Sequence, residues 1–162
     1  MRKNYFSKTF KALSAIVSCC AFMNVWAIEI HVQKAGTLPT LLPTCSESTL
    51  KVTGTINGTD VKHLRQLIGA GVTSLDLAGV KIVSGGVAYD GTNKTENDVI
   101  GTAMFKECTK LRSIELPTSI SAIHSNAFAR SGLTKVDIPN SVSRLGGDAF
   151  AYCNSLNTVV IG

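Results

Sequence analysis

The chain has 162 residues, enough for one domain of ordinary size. Its 16 basic and 11 acidic residues give a formal net charge of +5, yet Arg2, Lys3, Lys8 and Lys11 all stand in the first eleven positions and no acid precedes Glu29. Setting aside residues 1–27, with their four cations, leaves 12 basic against 11 acidic residues, a balance that argues against a nucleic-acid-binding face.

The beginning of the chain reads as a secretory signal peptide over residues 1–27. A basic stretch precedes the apolar run 12–23, and Val25, Trp26 and Ala27 place small residues at the outer and inner positions of a cut after Ala27. The run is shorter than the ~20 residues a membrane-spanning helix needs. An alternative is lipoprotein processing, because Ile16, Val17, Ser18 and Cys19 resemble a lipobox with Cys19 as the acylated residue. Either route exports the chain, to the extracellular space or the cell surface, and the membrane is met only through export or that lipid. A cut after Ala27 leaves Cys45, Cys108 and Cys153, an odd count that does not suit a disulfide framework.

Next, Ile30 and Val32 alternate with polar neighbours and predict a short strand. Leu38, Leu41 and Leu42, with Pro39 near the start and Pro43 after, predict about one helical turn. Leu50 and Val52 predict a second strand stopped by Gly54. Asn57, Gly58, Thr59 and Asp60 read as a turn and helix start, Val61, Leu64, Leu67 and Ile68 fall on one helical face, and Gly69 and Gly71 end it. Residues 28–71 therefore read as an N-terminal strand–helix cap. Val72, Leu75 and Leu77 open a repeat region, 72–162, interrupted at 79–98 by a polar, glycine-rich insertion. Asp90, Asn93, Glu96, Asn97 and Asp98 in that insertion do not have the alternating spacing of a calcium loop, and a solvated loop is the reading.

From residue 100 the chain repeats itself. Phe105, Phe128 and Phe150 close look-alike segments that begin at Ile100, Ile123 and Leu145, at steps of 23 and 22 residues. Between them recurs a second phrase: Leu111, Ile114, Leu116, Pro117; then Leu133, Val136, Ile138, Pro139; then Leu156, Val159, Ile161, Gly162. A period in the low twenties predicts a solenoid whose coils bury their apolar faces against each other. Ile114 and Leu116 then point inward and Ser113 and Glu115 outward, because side chains alternate along a strand. Pro117 and Pro139 help end the strands. Ile120 and Ile123, matched by Val142 and Leu145, form a second inward pair, and the phenylalanine fills the far side of the coil. Cys108 and Cys153 occupy the position that Ser131 takes in the middle coil. Two coil spacings, ~10 Å, exceed the ~7 Å reach of a disulfide, so both are read as small buried side chains. No capping repeat follows the last phrase, so Val159 and Ile161 are expected on an open sheet edge, with the chain either the front of a longer array or covered there by another subunit, including edge-to-edge self-association.

These residues resemble the BspA-like leucine-rich repeat family of bacterial secreted and surface proteins, whose coil runs Cys, Leu, Ile, Leu-Pro, then Ile-Gly and Ala-Phe. Cys108, Leu111, Ile114, Leu116, Pro117, Ile123, Ala127 and Phe128 match, as do Leu133, Val136, Ile138, Pro139, Leu145, Gly146, Ala149 and Phe150. His124 replaces the usual glycine, and the second coil is one residue short after Phe128. The segment 50–77 resembles the cap found before such coils. The resemblance implies an α/β leucine-rich-repeat solenoid, a β-rich right-handed coil of 22–23-residue repeats, and a role in adhesion or protein binding.

Chemistry has little support in the sequence. His31, His63 and His124 are scattered, Cys45 lies in no nucleophile signature, and no spacing suggests zinc, a phosphate loop or another cofactor. The expectation is a protein that is not an enzyme, binding another protein or macromolecule through the outward sheet face at Asp76, Ser113, Glu115, Lys135 and Asp137. Asp76, Glu115 and Asp137 form an acidic column there. The alternatives are a structural or targeting N-terminal module of a longer protein and, behind it, an enzyme using Cys45.

Overall fold

The computed structural model describes residues 27–162; the expected signal peptide, except Ala27, and the alternative at Cys19 lie outside the described residues. The chain opens with strand β1 (Ala27–Val32), the single turn α1 (Leu38–Leu41), strand β2 (Thr49–Ile56) and helix α2 (Gly58–Ala70). Short strands follow: β3 (Ser74–Asp76), β4 (Val80–Ile82), β5 (Val99–Ile100), β6 (Ser113–Glu115), β7 (Ala122–Ile123), β8 (Lys135–Ile138), β9 (Arg144–Leu145) and β10 (Thr158–Ile161).

The larger sheet runs β1-β2-β3-β6-β8-β10, with β4 also on β2, and its pairings are parallel. Its register joins Leu50, Leu75, Ile114, Val136 and Val159 into one inward column. The first four are buried, while Val159, on the edge strand, is 47% exposed. A second, smaller parallel sheet, β5-β7-β9, stacks Ile100, Ile123 and Leu145.

Helix α2 starts where the sequence predicts. Asn57 caps it, its side chain accepting from the Thr59 N–H at 2.9 Å, and Gly71 closes it. The fully buried Asp60 carboxylate accepts from the backbone N–H groups of Gly36, Leu38 and Asn57, so a single side chain ties the helix start to the loop before α1. His63, also buried, donates from Nε2 to the Leu42 carbonyl oxygen at 2.7 Å and closes the other end of α1. Val61, Leu64, Leu67 and Ile68 are buried on the face the periodicity marks.

The phenylalanine turns make a third ladder. The N–H groups of Ala103, Phe105 and Glu107 donate to the carbonyls of Ser125, Ala127 and Ala129. Those of Asn126, Phe128 and Arg130 donate in turn to Gly147, Ala149 and Ala151. The geometry requires a left-handed backbone on both sides of each phenylalanine: Ala103 and Glu107, Asn126 and Arg130, Asp148 and Tyr152 all have φ between 55° and 61°. Each such non-glycine residue costs ~1–2 kcal/mol, and the inter-coil hydrogen bonds and the aromatic packing between them offset it.

Two expectations need correction. Gly54 does not stop β2, which continues to Ile56; with φ +89° it bends the strand, and a Cβ there would stand 2.3 Å from the Val32 carbonyl oxygen. The segment 79–98 is not all solvated loop, for β4 lies within it and Tyr89 and Thr95 are buried. Leu145 continues the ladder of Ile123 and Val142 packs against the core, while Leu145 itself is 52% exposed.

Candidate functional site

The parallel register sets the outward side chains in rows across the larger sheet. One row reads Ala27, Thr49, Ser74, Ser113, Lys135, Thr158. The next begins Glu29, Lys51, Asp76, Glu115, and Asp137 and Val160 continue it on β8 and β10. The five residues named from the sequence thus share one face, and the rows extend over β1 and β2 to residues the sequence reading did not include: Glu29, Lys51, Thr49, and, one pleat further, His31 beside Thr53. The signal that marks them is the same alternation of buried and exposed positions that marks Ile30 and Val32.

Several of these side chains are already engaged. Lys135 pairs with Asp137 on its own strand at 2.9 Å, and Lys51 pairs across strands with Glu29 at 3.4 Å. Ser113 donates its hydroxyl to Ser74 at 2.8 Å, and the Asp76 carboxylate accepts from the Ala78 N–H. Glu115 makes no side-chain hydrogen bond or ion pair among the described residues. Asp76 and Glu115 face each other in register with no cation between them, which leaves the middle of the row negative. Exposed pairs such as Lys135–Asp137 contribute little to stability, ~0–1 kcal/mol, so a partner can exchange them at small cost.

The cysteines and histidines singled out in the sequence make separate contacts. Burial pushes the Cys45 thiol above its ordinary range, with the Glu47 backbone hydrogen bond opposing and the Glu47 charge adding to the rise. Its Sγ–H donates to the Glu47 carbonyl at 3.4 Å, so the thiolate that nucleophilic catalysis needs is disfavoured and no histidine is bonded to it. Cys108 and Cys153 are free and buried. The Cys153 thiol donates to the Phe128 carbonyl at 3.0 Å, and Ser131 Oγ lies 3.3 Å from its sulfur, so the serine between the two cysteines fills their column with a hydrogen bond. Burial raises Cys108 to about 11, opposed by Arg65. His124 lies 3.7 Å from Glu96, and the three histidines serve three separate places.

The 79–98 segment docks rather than dangles. Gly85 accepts from the Gly58 N–H at 3.0 Å and from the Thr95 hydroxyl, and Tyr89 donates to the Thr102 carbonyl at 2.7 Å. The Asp90 carboxylate accepts from the amides of Thr92 and Asn93 and from the Asn93 side chain. Burial alone would raise Asp90; the Asn93 and Thr92 hydrogen bonds and the Arg65 charge outweigh it and hold the carboxyl below its ordinary value. Among the described residues no three His, Cys, Asp or Glu side chains cluster as metal ligands do. No helix there is long and apolar enough to cross a membrane.

A mostly parallel sheet with helices at its start, whose strands β6, β8 and β10 stack at steps of 22 and 23 residues, is an α/β repeat fold of the leucine-rich kind. Residues 92–162 match the family described as BspA type Leucine rich repeat region, in six copies. Among solved structures the chain is similar to a leucine-rich repeat protein from Bacteroides ovatus, at 24% identity and a TM-score of 0.39, covering 69% of this chain and 25% of that one. It is also similar to a leucine rich cell surface protein from Faecalibacterium prausnitzii, at 21% identity and a TM-score of 0.42, covering 83% of this chain and 38% of that one. The chain thus spans well under half the length of either. No curated protein matches it.

Proposed function

We propose that this chain is an exported leucine-rich repeat solenoid that binds another macromolecule, an adhesion-type ligand protein, through the outward face of its larger sheet, and that it carries no chemistry of its own. On this reading residues 1–27 are the signal, 28–71 the N-terminal cap, and 72–162 a right-handed coil of 22–23-residue repeats with 79–98 inserted on one side. The observation that carries it is the outward row Glu29, Lys51, Asp76, Glu115: one solvent-facing surface, held in register by the backbone, with its negative centre at Asp76 and Glu115. A rigid scaffold presenting unlike side chains at fixed spacing is the form repeat proteins use for binding. A cationic patch on the partner fits that centre, with electrostatics setting the on-rate and orientation.

The test is surface plasmon resonance of the purified chain over immobilised matrix and secreted proteins, beside an Asp76→Asn, Glu115→Gln, Asp137→Asn triple variant. A partner whose binding weakens at least about tenfold in the triple variant, and with added salt, supports the face. Partners bound equally by both forms would move the binding elsewhere on the molecule. The intact mass of the secreted native protein checks export and the cut after Ala27.

A further inference from the structure

A second polar surface lies away from the sheet face, along the loops that lead from the phenylalanine turns into β6, β8 and β10. From Phe105 to Leu111 the chain takes six steps and from Phe150 to Leu156 again six, but from Phe128 to Leu133 only five. The short middle loop sits between two full-length ones and opens a cleft of about 480 Å³. Thr109 and Arg112 come from the loop before, Tyr152, Asn154 and Ser155 from the loop after, and Arg130, Ser131 and Gly132 belong to the short loop itself.

The arginines of this cleft are held in place. Arg112 donates from Nη1 to the carbonyls of Thr109 (3.1 Å) and Gly132 (2.9 Å). Gly132 is required for that position, since a Cβ there would stand 2.1 Å from the same Nη1. The Nε and Nη2 groups of Arg112 make no hydrogen bond among the described residues. Arg130 lies over the Tyr152 ring, 5.4 Å from its centroid. Tyr152 is 71% exposed. Neither guanidinium has a carboxylate partner among the described residues. No acid lines the cleft; Glu107, which holds the Arg130 position one coil earlier, lines a separate hollow with Arg65 and Lys110.

We propose that this cleft binds a saccharide carrying an oxyanion, a sulfate or a carboxylate on the sugar ring. Planar guanidinium groups suit such oxyanions in paired hydrogen bonds. The exposed tyrosine ring offers an apolar face with a polar edge to a pyranose. The hydroxyl and amide groups of Thr109, Ser155 and Asn154 suit sugar hydroxyls, and an open, shallow, polar cleft suits one or two sugar units better than an apolar ligand. The site is independent of the sheet-face reading, since none of its lining residues lies in the outward rows.

Isothermal titration of the purified chain with heparin oligosaccharide, oligogalacturonate, neutral dextran oligosaccharide and poly-glutamate tests this. Binding of heparin, of oligogalacturonate or of both, without binding of dextran, is expected, and which of the two binds identifies the sulfate or the carboxylate. Arg130→Gln and Tyr152→Ala should each weaken that binding about tenfold while Tyr152→Phe retains it, with urea midpoints unchanged. The Asp76, Glu115, Asp137 triple variant should bind the saccharide as the native chain does. Failure of both anionic saccharides to bind, equal binding of poly-glutamate, or affinity unchanged in Arg130→Gln and Tyr152→Ala would each overturn the proposal. Should a variant unfold, an Asn154→Ala, Ser155→Ala pair on the rim gives the same reading.

Discussion

Phe105 and Phe128 stack ring on ring, their centroids 5.6 Å apart and their planes 9° from parallel, and Phe150 continues the column at 5.2 Å and 3°. The first two rings are fully buried and the third is partly so. The spacing follows from the backbone: the Phe105 and Phe128 N–H groups bond to the Ala127 and Ala149 carbonyls of the next coil, so the rings inherit the coil-to-coil distance. Removing the middle ring should therefore open a cavity bounded by aromatic faces on both sides. Phe128→Ala is expected to cost ~3–5 kcal/mol, read as a lower urea midpoint, and Phe150→Ala less, because one of its faces is already open.

The phenylalanine period was legible because it repeats: Phe105, Phe128 and Phe150 recur with Ile114 and Val136 at a nearly constant step, and periodicity alone assigns them inward. Charged residues at the start of the sheet were not. Glu29 and Lys51 lie in strands that precede the recognisable phrase, and only the pairing of β1 with β2 reveals that they continue the row of Asp76 and Glu115. Gly54 looked like a strand end because glycine commonly breaks strands; its real task, turning β2 past the Val32 carbonyl, depends on a neighbour remote in sequence. Leu145 matches Ile123 in the repeat but differs in burial, since burial depends on what lies on top and the repeat pattern does not contain that.

Asp60 is the most connected polar side chain at the start of the domain. Its carboxylate is the acceptor for the N–H groups of Gly36, Leu38 and Asn57. Asp60→Ala strands these donors, and one buried unsatisfied group already costs ~1–3 kcal/mol. The expected loss is ~2–4 kcal/mol in urea unfolding, with hydrogen exchange at the Gly36 and Leu38 amides speeding up before the repeat region does. Asp60→Asn keeps one acceptor oxygen and should recover part of the loss. Equal exchange protection of both amides in the native chain and in Asp60→Ala would contradict this role.

Gly58 holds the 79–98 segment against the helix. A Cβ at this position would stand 2.1 Å from the Val87 carbonyl oxygen and 3.0 Å from that of Gly85, both backbone atoms with little freedom to retreat. Gly58→Ala must push the segment off the start of α2 and strain the Gly85 hydrogen bond. A cost of ~1–3 kcal/mol is expected, as for other overpacked sites. Limited proteolysis should cut within 84–97 faster than in the native chain, whereas Gly69→Ala, where nothing lies within 4 Å, should leave the segment intact.

Cys108 makes the protein sensitive to alkali. Burial lifts its thiol from the ordinary 9.0 to about 11, with Arg65 pulling the other way. Above the ordinary value the unfolded chain releases this proton while the folded chain keeps it, so the folded state binds more protons and stability falls as pH rises. The contribution is fully present below pH 9, declines between 9 and about 11, and is lost beyond that. Two units correspond to ~2–3 kcal/mol. Tyr89, raised above its ordinary 10.0 first by burial and then by the charges of Asp90 and Glu96, with Arg65 opposing, adds a second decline that starts later. Cys108→Ala separates the two. It should destabilise the protein at pH 8 through the space it leaves, and the gap between variant and native urea midpoints should narrow as pH rises from 8 to 11. A gap that stays constant over that range would show that Cys108 titrates alike in the folded and unfolded chain.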